Sequence, residues 1–208
     1  MTSLNLDGGR TEISPATILQ LAAALEALTQ LALPSTFTHT PGFYVSLARA
    51  RPNLKTIYFG EENSTDIDDA CIAAICRLPL EKLCIEDNST LTAGVVDIIL
   101  ESQAAQTLTE LDLCAIDSLT SAGVLRLVRG CTKVNDLYWY ASSGCLLTPL
   151  TDGNGQNVDD ITELLESRGK QGSEATYVEI EVFPEYGPWK RGSYHFMDYP
   201  HSQHPPGL

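Results

Sequence analysis

Oxygen-bearing side chains at Asp152, Asn154, Gln156, Asp160 and Glu163 follow the ligand spacing of a calcium loop. Such a loop needs glycine at its sixth position for a sharp turn, and Asn157 stands there. No helix precedes it in the pattern, so the stretch reads as a polar loop running into a helix cap. His195, His201 and His204 offer imidazoles near the C-terminus, but no cysteine or carboxylate set completes a tetrahedral site with them. Cys71 and Cys76 sit five apart on a helical stretch, as small core residues do. Cys84 and Cys114 follow strand positions that face outward and are candidate exposed thiols, with no base placed to activate them. There is no phosphate-cradling glycine loop and no GxSxG elbow. No triad or acid pair can be assigned, so neither catalysis, metal nor cofactor is expected.

What the chain does have is a repeated element. Leu28/Leu31/Leu33, Leu54/Ile57/Phe59, Leu80/Leu83/Ile85, Leu108/Leu111/Leu113 and Val134/Leu137/Trp139 share one apolar spacing. Met1/Leu4/Leu6 fits before them and Tyr177/Ile180/Val182 after them. First positions step by 27, 26, 26, 28 and 26 residues, then by 43. A fixed period of this size indicates a solenoid. Each apolar triplet suits a short strand whose inward side chains fill a stacked core while its neighbours face out. Amphipathic stretches lie between, at 16–28, 42–51, 67–78, 95–105, 124–130 and 158–168. Ser14-Pro15 and Thr40-Pro41 each place a capping hydroxyl before a proline at the first helical position. Thr65 with Asp68, and Asn157 with Asp160, have the form of loosened capping boxes. The expected unit is strand, turn, helix and return, with parallel strands stacked along one curved face.

The chain resembles leucine-rich repeat proteins with helices on the convex side. The unit LTELDLCAIDSLTSAGVLRLVRGCTKV, residues 108–134, is similar to the cysteine-containing repeats found behind F-box domains. Leu119-Thr120, Gly123-Val124 and Gly130-Cys131 carry that resemblance, and Leu91-Thr92 with Gly94-Val95 repeat it one unit earlier. Asn88 falls where the family places an inward asparagine or cysteine that bonds backbone in the turn. Other units depart, holding Gly9, Thr36, Glu62, Ile116 and Ser142 there. The resemblance implies an α/β leucine-rich repeat horseshoe over residues 1–183, about six to seven repeats, and the 43-residue step points to an inserted loop at 141–156. Residues 184–208, rich in proline and aromatics, would form a C-terminal cap or tail. Met1 already occupies a strand position, so an upstream segment or another molecule is expected to cover that edge.

A net charge of −14 argues against nucleic acid and anionic membrane surfaces. No apolar run approaches the roughly 18 residues of a membrane span, and no signal peptide opens the sequence. The six cysteines follow the repeat rather than a pairing framework and read as reduced thiols. The expected compartment is the cytoplasm or nucleus. Asn63-Ser64-Thr65 and Asn88-Ser89-Thr90 match glycosylation acceptors, which a chain in that compartment does not use.

The binding candidates are the residues that the pattern turns outward. Tyr58, Glu81, Glu86, Glu110, Asp112, Asp136, Tyr138 and Tyr140 form the core of this set, with Asp7, Gln30, Lys55, Lys82, Glu179 and Glu181 around them. Acids outnumber lysines, and the tyrosines offer large contact area at low entropy cost. The expectation is a non-enzymatic scaffold for a protein partner with a basic segment. Resemblance adds a role in substrate recognition for an F-box-type ubiquitin ligase. The alternative is a regulator of a small GTPase, although Arg10, Arg49 and Arg51 are scattered for that chemistry. The oligomeric state is left open.

Overall fold

The computed structural model describes residues 1–6, 13–34, 37–59, 66–85, 88–113, 116, 118–140, 155–169 and 177–181. Seven strands form one sheet in chain order: β1 (Ser3–Asn5), β2 (Gln30–Ala32), β3 (Thr56–Tyr58), β4 (Lys82–Cys84), β5 (Glu110–Asp112), β6 (Asp136–Tyr140) and β7 (Tyr177–Glu181). Every neighbouring pair is parallel. The helices alternate with them: α1 (Pro15–Ala24), α2 (Pro41–Ala50), α3 (Asp69–Ile75), α4 (Val95–Leu100), α5 (Ser121–Gly130) and α6 (Gly155–Gly169). The fold is therefore α/β, a single parallel sheet with a helix in each return.

Register follows the apolar period. Leu4, Leu31, Ile57, Leu83, Leu111 and Leu137 stand side by side across β1 to β6. The last five of these are buried, as are Leu33, Ile85, Leu113 and Trp139 further along each unit. The ladder also runs ahead of the strands: the amides of Lys55, Glu81, Thr109 and Asn135 donate to carbonyls one unit back. Each apolar position thus sits on its counterpart, which makes the core continuous from unit to unit.

Capping decides where the helices begin. Ser14 Oγ accepts from Thr17 N at 3.2 Å and Thr40 Oγ1 from Phe43 N at 3.3 Å, each ahead of its proline. Thr120 does the same for Gly123, so α5 starts three residues before the apolar pattern does. Both loosened capping boxes are corrected. Asp68 is itself the N-cap of α3, accepting from Cys71 N at 2.7 Å, and Asn157 lies inside α6. The loop expected at 141–156 therefore gives way to helix at Gly155. Helix α1 ends at Ala24 rather than Leu28, because Leu28 is drawn into the buried approach to β2. Its C-terminal carbonyls, Ala22 and Ala23, accept from the Arg51 guanidinium of the next unit. Arg168 repeats that device, donating to the carbonyls of Val128, Cys131 and Val134 around the end of α5. A cation there also complements the helix dipole.

At the far end the register corrects the expected triplet. Leu137 pairs with Val178 and Trp139 with Ile180, so Val178 and Ile180 take the places expected of Ile180 and Val182. The shift is two residues, which preserves alternation and leaves Glu179 and Glu181 on the outward register. Met1, expected inward, is exposed. Asp7, Glu86, Cys114, Asp152, Asn154, the Asn63 triplet, most of the 141–156 loop and the 184–208 tail fall outside the described residues.

Candidate binding face

Two outward rows cross the sheet. Ser3, Gln30, Thr56, Lys82, Glu110 and Asp136 form one, followed by Tyr177. The other carries Asn5, Ala32 and Tyr58, then Cys84, Asp112 and Tyr138, with Glu179 beyond. From β1 to β6, all of these described side chains except Thr56 keep some exposure. Tyr58 is 39 % exposed, one of three large apolar side chains that stand out so far among the described residues. Tyr138 and Asp112 are half-buried partners across β5 and β6, and Asp136 pairs with Glu110. Tyr140 stands in register with Glu181 at the end of β6. Of the eight core candidates, seven lie on this ladder or directly before it; Glu86 lies outside the described residues.

Charge on the face is arranged in a way the composition does not convey. Lys55 Nζ meets Glu81 Oε1 at 2.6 Å, and Lys82 Nζ pairs with Glu110 Oε2. Glu110 holds the Lys82 ammonium above its usual pKa by hydrogen bonding, with partial burial acting against it. Glu81 and Glu110 are therefore neutralised from within, which the sequence reading missed. The signal was there: each pair places opposite charges one repeat apart, at offsets of 26 and 28 residues. Because the first pair is largely exposed and the second partly so, their net stabilisation is small. Strands β5 and β6 also carry Asp112 and Asp136, and strands β5 to β7 contain no lysine or arginine.

Other sequence candidates resolve as structure. Asn88 is 1 % exposed and fully engaged. Its Nδ2 donates to Ile67 O at 2.9 Å, and its Oδ1 accepts from Thr90 N and Leu91 N at 2.9 and 2.8 Å. A glycan on that nitrogen would break the turn. Cys71 and Cys76 are buried, and burial pushes both thiols up to about 12, which makes them poor nucleophiles and ligands. Burial likewise raises Cys131 to about 11. Cys84 is half-buried on the outward face. Asp160 pairs with Arg129 at 3.2 Å on the helix side. Among the described residues no group of three His, Cys, Asp or Glu is placed to hold a metal ion, and no helix is long and apolar enough to cross a membrane. An open hollow of about 490 Å³ lies between α3 and α4, lined by Arg77, Glu101 and Gln103, away from the strand ladder.

Comparison with protein-family models and with curated proteins finds no match to this chain.

Proposed function

We propose that the chain is a leucine-rich repeat scaffold of the convex-helix type that binds a protein partner across its outward strand face. The observation that carries this reading is an all-parallel sheet whose described outward side chains, Thr56 excepted, retain exposure from β1 to β6. Parallel sheets are ordinarily covered on both faces. One left open presents rigid, regularly spaced side chains, the arrangement that repeat proteins use for binding. The partner class is a segment rich in lysine or arginine, engaging the β5 to β7 end, where acids stand without intervening lysines. Tyr138 on β6 anchors it there, and Tyr58 on β3 extends the contact along the sheet. Supply of substrates to an F-box-type ubiquitin ligase is the biological setting that the resemblance of residues 108–134 favours.

The test is affinity capture followed by binding kinetics on the recovered partner. Tyr58→Ala with Tyr138→Ala should weaken binding about tenfold or more, mainly through faster dissociation. Asp112→Asn with Asp136→Asn should slow association and flatten the salt dependence. Glu110 is left unchanged because its loss would release Lys82. Partners held at full strength by both double variants would place binding elsewhere.

A further inference from the structure

We propose that the partner of the strand face is an extended segment running across the strands, with an apolar side chain seated on Tyr58 and a basic residue roughly three to four positions away over β5 and β6. Lys82, between these two places, rejects segments whose basic residue stands beside the apolar one. The inference deepens the binding reading given above and rests on it.

Strands β1 to β5 are each three residues long, and the middle residue of each lies in the inward register. One strand therefore offers a partner two outward side chains. A segment lying along a strand meets little more than those. A segment lying across the strands meets a new outward side chain about every 4.8 Å. On that path it crosses two different surfaces. Strands β1 to β3 contain no charged residue. There Tyr58 stands 39 % exposed, with only the small side chain of Ala32 in register beside it on β2. A phenol ring so placed offers apolar contact area to a partner. Strands β5 to β7 carry Asp112, Asp136, Glu179 and Glu181 besides Glu110, and no lysine or arginine. A hydrogen bond leaves a carboxylate its formal charge, so the strands at this end are net anionic.

Lys82 on β4 lies at the boundary. Its side chain is 40 % exposed, its ammonium pairs with Glu110, and it interacts electrostatically with Tyr58. A partner's cation over β4 would meet a like charge and compete for a carboxylate already engaged, which is a repulsive element of the kind that sets specificity. Strand β4 is one spacing from Tyr58, about 5 Å, which an extended chain covers in about one to two residues. Strands β5 and β6 are two and three spacings away, about 10 and 14 Å, or about three to four residues. The sheet thus holds the partner's apolar and basic residues apart.

The experiment measures binding of the full chain to synthetic peptides by fluorescence anisotropy at low salt, where exposed charges act most strongly. Each peptide carries one phenylalanine and two adjacent arginines in a serine-glycine background, one, four or nine positions apart, in both chain directions. A peptide with the arginines alone is the control. The four-position peptide, in one direction, should bind about tenfold tighter than the one-position peptide and the control. Tyr58→Ala should bring it down to the control. Lys82→Gln should narrow the gap by raising the affinity of the one-position peptide. Equal binding at all spacings, or a control that binds as tightly as the four-position peptide, would overturn the inference while leaving a basic partner in place. So would a maximum at nine positions, because a helix rising about 1.5 Å per residue spans the same distance in that many. Failure of every peptide to bind, the control included, would overturn the basic-partner reading and this inference together.

Discussion

At the entry to α2, Phe37, His39, Phe43, Tyr44 and Phe59 pack ring against ring, with one hydrogen bond, His39 to Tyr44, inside the cluster. At the entry to α4, the corresponding turn is held by directed bonds. Asn88 joins Ile67 O to the amides of Thr90 and Leu91, Thr90 Oγ1 reaches Ile67 O at 2.7 Å, and Asp69 accepts from Thr92 N at 2.9 Å. Helix α4 has no side-chain cap hydrogen bond of its own at Gly94, so its start leans on α3 through these contacts. Both turns bring the chain from strand to helix within a similar span. Ring packing depends on volume and shape, whereas the asparagine network depends on individual donors and acceptors.

Substitutions can break that contrast. The largest effect belongs to the core that both turns share. Leu111→Asp puts an unpaired charge on a fully buried position and should cost more than about 4 kcal/mol, abolishing folding by circular dichroism. A soluble, folded L111D beside an unfolded D112L would mean that the register is wrong. Next comes Tyr44→Ala, which empties the aromatic cluster and should lower stability by about 3–5 kcal/mol in urea denaturation. Asn88→Leu keeps volume but orphans the amides of Thr90 and Leu91, and about 2–4 kcal/mol should be lost. Tyr44→Phe removes one hydrogen bond and leaves the ring, so only about 0.5–1.5 kcal/mol is expected. If Y44F proved as damaging as N88L, the two turns would not differ in kind.

The smallest effect is one of reactivity. With their thiols pushed up to about 12 and buried, Cys71 and Cys76 should resist alkylation at pH 8. Asn88→Leu releases a bond to Ile67 at the start of α3, so labelling of Cys71 should accelerate ahead of Cys76. Mass-spectrometric mapping separates the two sites. Equal acceleration at both would point to global unfolding rather than a local release of the turn.

The outward face was readable because strand alternation is rigid: once Leu31, Ile57, Leu83 and Leu111 are known to face inward, their neighbours must face out. Proline caps at Ser14 and Thr40 were equally direct, since the chemistry lies within three residues of sequence. Asp68 was harder, because a residue that fits the third place of one capping box also fits the cap itself. At β7 the apolar spacing admitted two alignments of the same parity, and only pairing with Leu137 chose Val178.

By itself, the sequence determined the period and the inward set of β2 to β6, and therefore a parallel stack of strands with helices between, because alternation and helical spacing are local properties of a chain in water. Tertiary structure decided which of the charges standing about one repeat apart actually meet. Lys55 with Glu81, Lys82 with Glu110, and Arg168 with the carbonyls ending α5 are joined across 26 to 40 residues. It also decided that His39 is buried against Tyr44 and Phe59 rather than solvated. Such pairings depend on rotamers and on the lateral offset between stacked units. Those are set by the packing of the whole core, and no short window of sequence contains them.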